Sequence, residues 1–276
     1  MQRACFAALA LAAAAGCTGT SLFDDGPRKP ERAACTDVAP GRYVLGERFL
    51  QAGPVDAKIK AYVQASNDLA GAANQAEVEV AQACMRIGLD LGVPATAMQA
   101  RQENGGRATG ACYPAAQAVD GAMRQGAQVW VRVTPPFCTP NGLAVNQCAQ
   151  SCALSDPQCA ATCRVHGDAY ATCTPALVIA TPSNPNPLSF RLASTLQANL
   201  PNLVHGEVGL ARRLLADGQT LSQLGMTLPA EMSQAGAVAQ GCVADGGSEV
   251  QSAGWLLQIV VRAGGQVTGR VGATSG

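Results

Sequence analysis

Six cysteines in the middle of the chain have the side chains and the spacing to do chemistry, either as disulfides or as thiolate metal ligands. They are separated by nine, three, six, three and nine residues, a pattern that is the same in both directions: Cys138, Cys148, Cys152, Cys159, Cys163 and Cys173. A hairpin folded about its own midpoint pairs them from the inside outwards, as Cys152–Cys159, Cys148–Cys163 and Cys138–Cys173. The spacing therefore predicts a hairpin closed by three nested disulfides.

The two inner disulfides of this pattern indicate helices. Cys148 and Cys152 are four residues apart, as are Cys159 and Cys163, so each of these two sets lies on one face of a helix. A six-residue connection that contains a proline allows the two helices to run antiparallel, at Cα separations that a disulfide accepts. The arrangement resembles the paired CX3C helical hairpins of small disulfide-stapled proteins. That resemblance implies a fold and no activity.

A tetrahedral zinc site is the alternative for the four inner cysteines, because structural zinc sites also use two cysteine pairs. Oxidation in an exported chain competes with thiolate ligation, so we expect disulfides, no metal and no other cofactor. Haem attachment is not indicated, because the stretch from Cys163 to His166 lacks the second cysteine of that motif.

The expectation of export rests on the first residues of the chain. Arg3 supplies a positive charge, and residues 6–15 form an apolar run that is too short to span a bilayer and ends in small residues. The ending AAGC, up to Cys17, resembles the lipobox of bacterial lipoproteins. The resemblance implies cleavage before Cys17 and lipid attachment to it. Because Thr18 follows rather than aspartate, it also implies the outer membrane more than the inner.

The chain is expected to divide into four segments. Residues 1–16 form the lipoprotein signal peptide, and residues 17–34 form the lipidated cysteine and a flexible tether that mixes glycine, proline and opposed charges. Residues 35–263 form a single domain, into which the cysteine hairpin 138–173 is inserted. Residues 264–276, rich in glycine and serine, are expected to be a flexible C-terminal tail.

Ten of the 12 cysteines remain once Cys5 in the signal peptide and the lipidated Cys17 are set aside. An even number in an exported chain predicts five disulfides. The four cysteines outside the hairpin allow three pairings. A short connection between two predicted helices favours Cys84–Cys112, which leaves Cys35–Cys242.

Four segments have helical periodicity. The longest covers residues 56–91, with small or apolar residues recurring three and four positions apart until a Gly-Val-Pro sequence ends it. Further helices are predicted over about 111–125, 188–216 and 229–244, and Pro201 is expected to kink or break the third. The small side chains predict close helix packing rather than a binding groove.

Two strands are predicted to flank the cysteine hairpin. Residues 129–133 alternate valine with other side chains up to two prolines at 135 and 136, and residues 176–181 form a second β-rich run. If the midpoint of the cysteine pattern also sets the strand register, two cross-strand pairs follow: Val131 with Ala180 and Val133 with Val178. The run from Trp255 to Arg262 fits either a helix or a strand, and we favour a third strand.

These elements predict an α+β fold that is mainly α. Long helices form a bundle, a small antiparallel sheet lies beside it, and the disulfide-riveted helical hairpin projects from the sheet. His166 and His205, the two histidines, are expected at the surface or at helix ends. Glu77 and Glu79 lie on different sides of the long helix and do not form an acid–base pair. With no phosphate loop or hydrolase motif present, we expect no enzyme and no catalytic residue.

Three stretches carry a wider resemblance: AKIKAYVQASNDLA at 57–70, LQANLPNLVHGEVGLARRL at 196–214, and VTPPFC with the cysteine array. They resemble a group of myxobacterial-type bacterial lipoproteins to which no activity is assigned, so the resemblance implies fold and location alone. The 19 basic and 19 acidic residues give a formal net charge of zero, which provides no electrostatic basis for binding nucleic acid.

Two functions from different classes are compatible with this sequence. The first is a non-enzymatic envelope lipoprotein, attached to the membrane through its lipid, whose hairpin is a rigid contact surface for an envelope protein partner. The second is a membrane-active, pore-forming-like helical protein with a β tongue. A toxin tongue needs an uninterrupted apolar tip, whereas this tip is crosslinked and polar, which favours the first function. The polar residues of the tip are Asn146, Gln147, Gln150 and Ser151.

Overall fold

The computed structural model describes residues 53–99, 106–150, 152, 157–169, 171–231, 237–271 and 274–275. The predictions on the signal peptide, Cys17, the tether and Cys35 lie outside the described residues. In chain order the elements are α1 (Pro54–Asp90), α2 (Ala95–Gln99), α3 (Gly106–Arg124), β1 (Trp130–Thr139), α4 (Gly142–Gln150), α5 (Pro157–Ala169), β2 (Thr172–Ala180), α6 (Pro187–Glu231), α7 (Ala237–Arg270) and β3 (Thr274–Ser275). The predicted α+β class with a dominant helical bundle is confirmed.

The bundle is built around α1, which packs against α3, α6 and α7. Small side chains on α1 and leucines on α6 bury each other: Ala65, Ala72, Ala73, Ala76 and Ala83 with Leu192, Leu196, Leu200, Leu203 and Leu210. Each buried leucine contributes about 2 kcal/mol of hydrophobic stabilisation, while the alanines let the helix axes come close. Among the described helices, none is apolar over a length sufficient to cross a bilayer.

Helix α6 is longer than its sequence pattern predicts. It runs for 45 residues without a break at Pro201, and it includes the start of the helix that was expected over 229–244. A proline inside a helix costs about 3 kcal/mol. Leu200 and Leu203 on either side of it are fully buried, so tertiary packing offsets that cost and the expected break is wrong.

The C-terminal part of the chain corrects two predictions. Trp255 to Arg262 is helical rather than a strand, and the helix continues to Arg270 through most of the expected flexible tail. Buried residues recur at spacings of three and four along α7 and just beyond its end, over a longer stretch than the ambiguous run: Ala253, Leu257, Val260, Ala263, Val267 and Val271. This helical face packs on the bundle, which decides the ambiguity that eight residues alone leave open.

The sheet has the order β2-β1-β3, with β1 antiparallel to β2 and a short parallel β3 at the edge. Both long strands extend beyond their predicted limits, because β1 continues through the two prolines to Thr139 and β2 begins at Thr172. A register shift between Thr134 and Phe137 accompanies those prolines, which lack the N–H that a ladder needs.

Because of this bulge, the observed register of the strand pair differs by one residue from the predicted register. Val131 pairs with Ile179 and Val133 with Leu177, whereas the partners beyond the bulge, Cys138 and Cys173, keep the palindromic register. A one-residue shift moves every side chain of a strand to the opposite face. The predicted register, without a bulge, would place Val178 opposite Val133. In the structure Val178 is exposed.

Candidate functional site

The hairpin between β1 and β2 consists of α4 and α5, which pack against each other. Disulfides join Cys148 to Cys163 at a Cα separation of 5.4 Å and Cys152 to Cys159 at 5.7 Å. The predicted helical hairpin with its two inner disulfides is confirmed. Cys152 lies just beyond the end of α4, where its N–H donates to the carbonyl of Ala149.

Of the two cysteines of the predicted outer disulfide, the structure describes the side chain of Cys138 alone. Cys138 is disulfide-bonded, and its backbone pairs with that of Cys173 across the sheet. The side chain of Cys173 lies outside the described side chains, so the Cys138–Cys173 bond stays a prediction that the register supports.

The sulfur atoms of the hairpin form a compact cluster. Cys148 and Cys163 are fully buried, and the Sγ atoms of Cys152 and Cys163 are 3.5 Å apart. Cys152, Cys159 and Cys163 lie close enough together to serve as metal ligands, but all three are in disulfides. In this state their sulfurs are not thiolates, so the cluster acts as a crosslink.

The base of the hairpin is fixed by a polar cap and a close helix contact. The Oδ1 atom of Asn141 accepts hydrogen bonds from the N–H groups of Leu143 and Ala144 at the start of α4, both at 3.1 Å. The N–H of Asn141 donates to the carbonyl of Gly167 on α5. A Cβ atom at Gly167 would overlap the side chain of Val145, so this position requires glycine.

Large apolar side chains are exposed along the outer face of the sheet and on the hairpin. Trp130 and Val178 lie on neighbouring strands of this outer face, Phe137 follows towards the hairpin with 78% of its surface exposed, and Leu143 of α4 is 73% exposed. We call Trp130, Phe137, Leu143 and Val178 the hairpin apolar surface. Large apolar side chains that are exposed on neighbouring elements are candidates for a contact surface.

The remaining cysteines link the bundle. A disulfide joins Cys84 of α1 to Cys112 of α3 at a Cα separation of 4.7 Å, the pair that the sequence favours. Cys242 of α7 is also disulfide-bonded. Cys35 lies outside the described residues, so the Cys35–Cys242 pairing stays a prediction.

His166 lies in the last turn of α5, as one of its two expected placements has it, but it is buried and not at the surface. It is 2% exposed, and its Nδ1 atom lies 2.6 Å from the Oδ2 atom of Asp68 on α1. The Nε2 atom of Gln64 donates to the other Asp68 oxygen at 2.9 Å. His166 is therefore a polar side chain through which α5 contacts α1.

Helix α6 adds two buried charged groups, Arg213 and Asp217, to this cluster. Burial, and then the charge of Asp68, raise the pKa of Asp217 well above its ordinary value, whereas Arg213 lowers it. Burial also raises the pKa of Asp68, against the hydrogen bond from His166. Among the described residues, neither carboxyl oxygen of Asp217 has a hydrogen-bond partner.

The other sequence candidates have separate structural partners. The Nδ1 atom of His205 lies 3.2 Å from the Oε2 atom of Glu79, in a partly exposed pair between α6 and α1. Glu77 accepts a hydrogen bond of 2.7 Å from the N–H of Arg107 at the start of α3. Glu77 and Glu79 therefore face different helices.

No protein-family model matches the chain, and neither a curated protein nor a solved structure matches it significantly. The hairpin, its apolar surface and the buried cluster beneath it are therefore the features of this protein that bear on its function. The buried cluster was not predicted, because Asp68, His166 and Asp217 come from three segments that only the fold brings together. A possible sequence signal was the run QASND at residues 64–68, which puts several polar side chains into a helix that is otherwise small and apolar.

Proposed function

We propose that this protein is a non-enzymatic cell-envelope lipoprotein whose disulfide-stapled hairpin is a rigid contact surface for another envelope protein. The observation that supports the proposal most directly is the hairpin apolar surface. Disulfides fix the hairpin before it meets a partner, which reduces the conformational entropy lost on binding. Aromatic anchors such as Trp130 and Phe137 are the residue types that contribute most to protein interfaces.

The histidine–carboxylate pairs favour a structural role over catalysis. His166 and Asp68 are each almost completely buried, so a substrate could not reach either side chain without a rearrangement of α5. The second pair, His205 and Glu79, is more accessible but has no nucleophile among its described hydrogen-bond partners. A general base needs a proton within hydrogen-bond reach.

Site-specific photocrosslinking in intact cells tests the contact surface. A photoreactive residue at Phe137 or Leu143 should yield an adduct of one discrete mass, because Leu143 is exposed on the hairpin and Phe137 is exposed on the strand that leads into it. The matched controls are Leu215 and Met226, two exposed apolar residues of α6 outside the hairpin. The Leu143→Lys substitution should abolish the adduct formed from Phe137. Equal adducts from all four positions would contradict a hairpin-specific contact.

The second candidate is the membrane-active function, which the long helices and the exposed Phe137 and Leu143 favour. Two disulfides within the hairpin oppose it, because they prevent the extension of α4 and α5 that insertion requires. Leakage of dye from liposomes treated with the purified domain lacking Cys17 would support this candidate. If that leakage also required Phe137 and Leu143, it would replace the contact-surface proposal.

A further inference from the structure

The two disulfides within the hairpin contact each other but differ in exposure. Cys148 and Cys163 form a fully buried disulfide, whereas Cys152 and Cys159 are only partly buried. We call Cys148–Cys163 the buried disulfide and Cys152–Cys159 the accessible disulfide. The Sγ atoms of Cys152 and Cys163, one from each disulfide, are 3.5 Å apart. Atoms held about 3 to 3.5 Å apart are close enough for an intramolecular reaction.

The arrangement of the sulfur atoms selects one route between the disulfides. Among the described residues, the Sγ atoms of Cys152, Cys159 and Cys163 lie within 4.8 Å of one another, and this group does not include Cys148. A thiolate formed at Cys152 therefore lies next to the Sγ atom of Cys163. Attack on that atom breaks the buried disulfide and makes Cys148 the leaving group.

The helix ends stabilise a thiolate at Cys159 more than one at Cys152. Cys159 is the third residue of α5, where the N–H groups of the first turn favour a negative charge. The Sγ atom of Cys152, at the opposite end of α4, is 3.8 Å from the carbonyl oxygen of Cys148. Once the accessible disulfide is reduced, Cys152 is therefore the stronger nucleophile of the two thiolates.

The base of the hairpin is held by groups other than sulfur. The N–H of Asn141 donates to the carbonyl of Gly167 at 3.0 Å, and His166 of α5 contacts Asp68 of α1 at 2.6 Å. These contacts do not depend on a disulfide, so they keep α4 and α5 in place while one of the two is open. The sulfur atoms thus stay close together during an exchange.

We propose that the hairpin is a thiol–disulfide exchange site, which takes an electron pair from a dithiol at the accessible disulfide and passes it to the buried one. The dithiol gives up two electrons and two protons and becomes a disulfide, which leaves thiols at Cys152 and Cys159. The Cys152 thiolate then attacks Cys163, and the Cys148 thiolate leaves. Attack of Cys159 on Cys152 restores the accessible disulfide and releases Cys163. Each of these later steps exchanges one disulfide for another without a further oxidant or reductant.

A short pulse of dithiothreitol, a small dithiol, tests the exchange in the purified wild-type protein. The dithiol is removed in the absence of oxygen, free thiols are blocked at successive times, and peptide mapping locates the blocked thiols and the remaining disulfides. Thiols should appear first at Cys152 and Cys159. With no dithiol left, a Cys152–Cys163 link and thiols at Cys148 should follow. If neither forms after the dithiol is removed, the proposal is overturned.

Removal of the accessible disulfide separates exchange from simple opening of the hairpin. In the protein with Cys152→Ser and Cys159→Ser, dithiothreitol should reduce the buried disulfide at least about tenfold more slowly than in wild type, because no intramolecular thiolate is present. The Cys84–Cys112 disulfide, also fully buried, is the reference in the same molecules, and its rate should not change.

Opening of the hairpin predicts the opposite result for this variant, because loss of a crosslink gives the dithiol easier access to the buried disulfide. An unchanged or faster reduction in the folded variant would therefore overturn the exchange. The wild-type pulse decides the question even if the variant fails to fold. The exchange is stoichiometric and does not depend on the contact surface. Crosslinking from Phe137 and Leu143 involves no thiol, so failure of one proposal can be told apart from failure of the other.

Discussion

At the residue scale, enclosure within the bundle raises the pKa of several carboxyl groups. Glu207 of α6 has an enclosed Oε1 atom without a hydrogen-bond partner among the described residues, and it faces α7 at Gly264, where a Cβ atom would overlap the carboxylate. Burial raises the pKa of Glu207 to about 7. Glycine at 264 thus makes room for a carboxyl group that is half protonated near neutral pH.

We predict that Glu207→Gln changes the pH dependence of stability. In wild type, the stabilisation from the raised pKa is complete below about pH 4 and is lost as the pH rises towards 7. The variant should therefore be more stable than wild type by up to about 3 kcal/mol at pH 8 and by less than about 1 kcal/mol at pH 5. Urea unfolding at both pH values measures the difference. A variant that is destabilised equally at both would show that the carboxylate has a favourable partner.

At the element scale, the bundle depends on close helix contacts and one internal crosslink. Gly206 of α6 faces α1, where a Cβ atom would lie 3.2 Å from the Cγ2 atom of Val80 and 3.6 Å from the carbonyl oxygen of Ala76. A Cβ atom at Gly218 of the same helix would have no neighbouring atom within 4 Å. The two glycines differ in what surrounds them, and this difference allows a matched test.

Gly206→Leu should destabilise the protein by about 1 to 3 kcal/mol, because the larger side chain forces α6 away from α1. Gly218→Leu should leave the stability unchanged or raise it slightly, since leucine has the better helix propensity. Thermal unfolding of both variants provides the comparison. If both substitutions destabilised the protein equally, the close contact between α1 and α6 would add no cost specific to Gly206.

The disulfide between α1 and α3 should stabilise the bundle by restricting the unfolded chain. Its sequence separation is 28 residues, for which removal of a native disulfide costs about 2 to 4 kcal/mol. We therefore expect Cys84→Ser with Cys112→Ser to lower the free energy of unfolding by that amount while the helical circular dichroism is retained. The same stability in the variant and in wild type would refute the assigned contribution.

At the scale of the whole molecule, location is the property with the most direct test. If Cys17 carries the lipid anchor, Cys17→Ser should release the protein from the membrane fraction or block its maturation, since the acyl chains supply the membrane affinity. Cell fractionation followed by mass measurement of the N-terminus distinguishes these outcomes. A Cys17→Ser protein that matures and still sediments with membranes would refute the lipoprotein proposal.

The sequence by itself determined the parts of this protein that depend on local spacing. The CX3C pairs predict two facing helices because four residues make about one helical turn, and residues 56–91 predict α1 to within two residues because small side chains repeat along it. The strand before the hairpin follows from alternation in the same way, and the strand after it follows from a run of β-rich residues. In each case neighbouring residues along the chain carry the signal.

Only the tertiary structure decided the features that depend on distant segments. Packing of Leu200 and Leu203 keeps α6 continuous at Pro201, and the bundle makes Trp255 to Arg262 helical. The bulge that shifts the strand register also depends on how two separate strands meet. His166 and Asp68 are 98 residues apart in the chain, yet they form a buried contact between the hairpin and the bundle. Their burial follows from the docking of three helices, which no periodicity within one segment encodes.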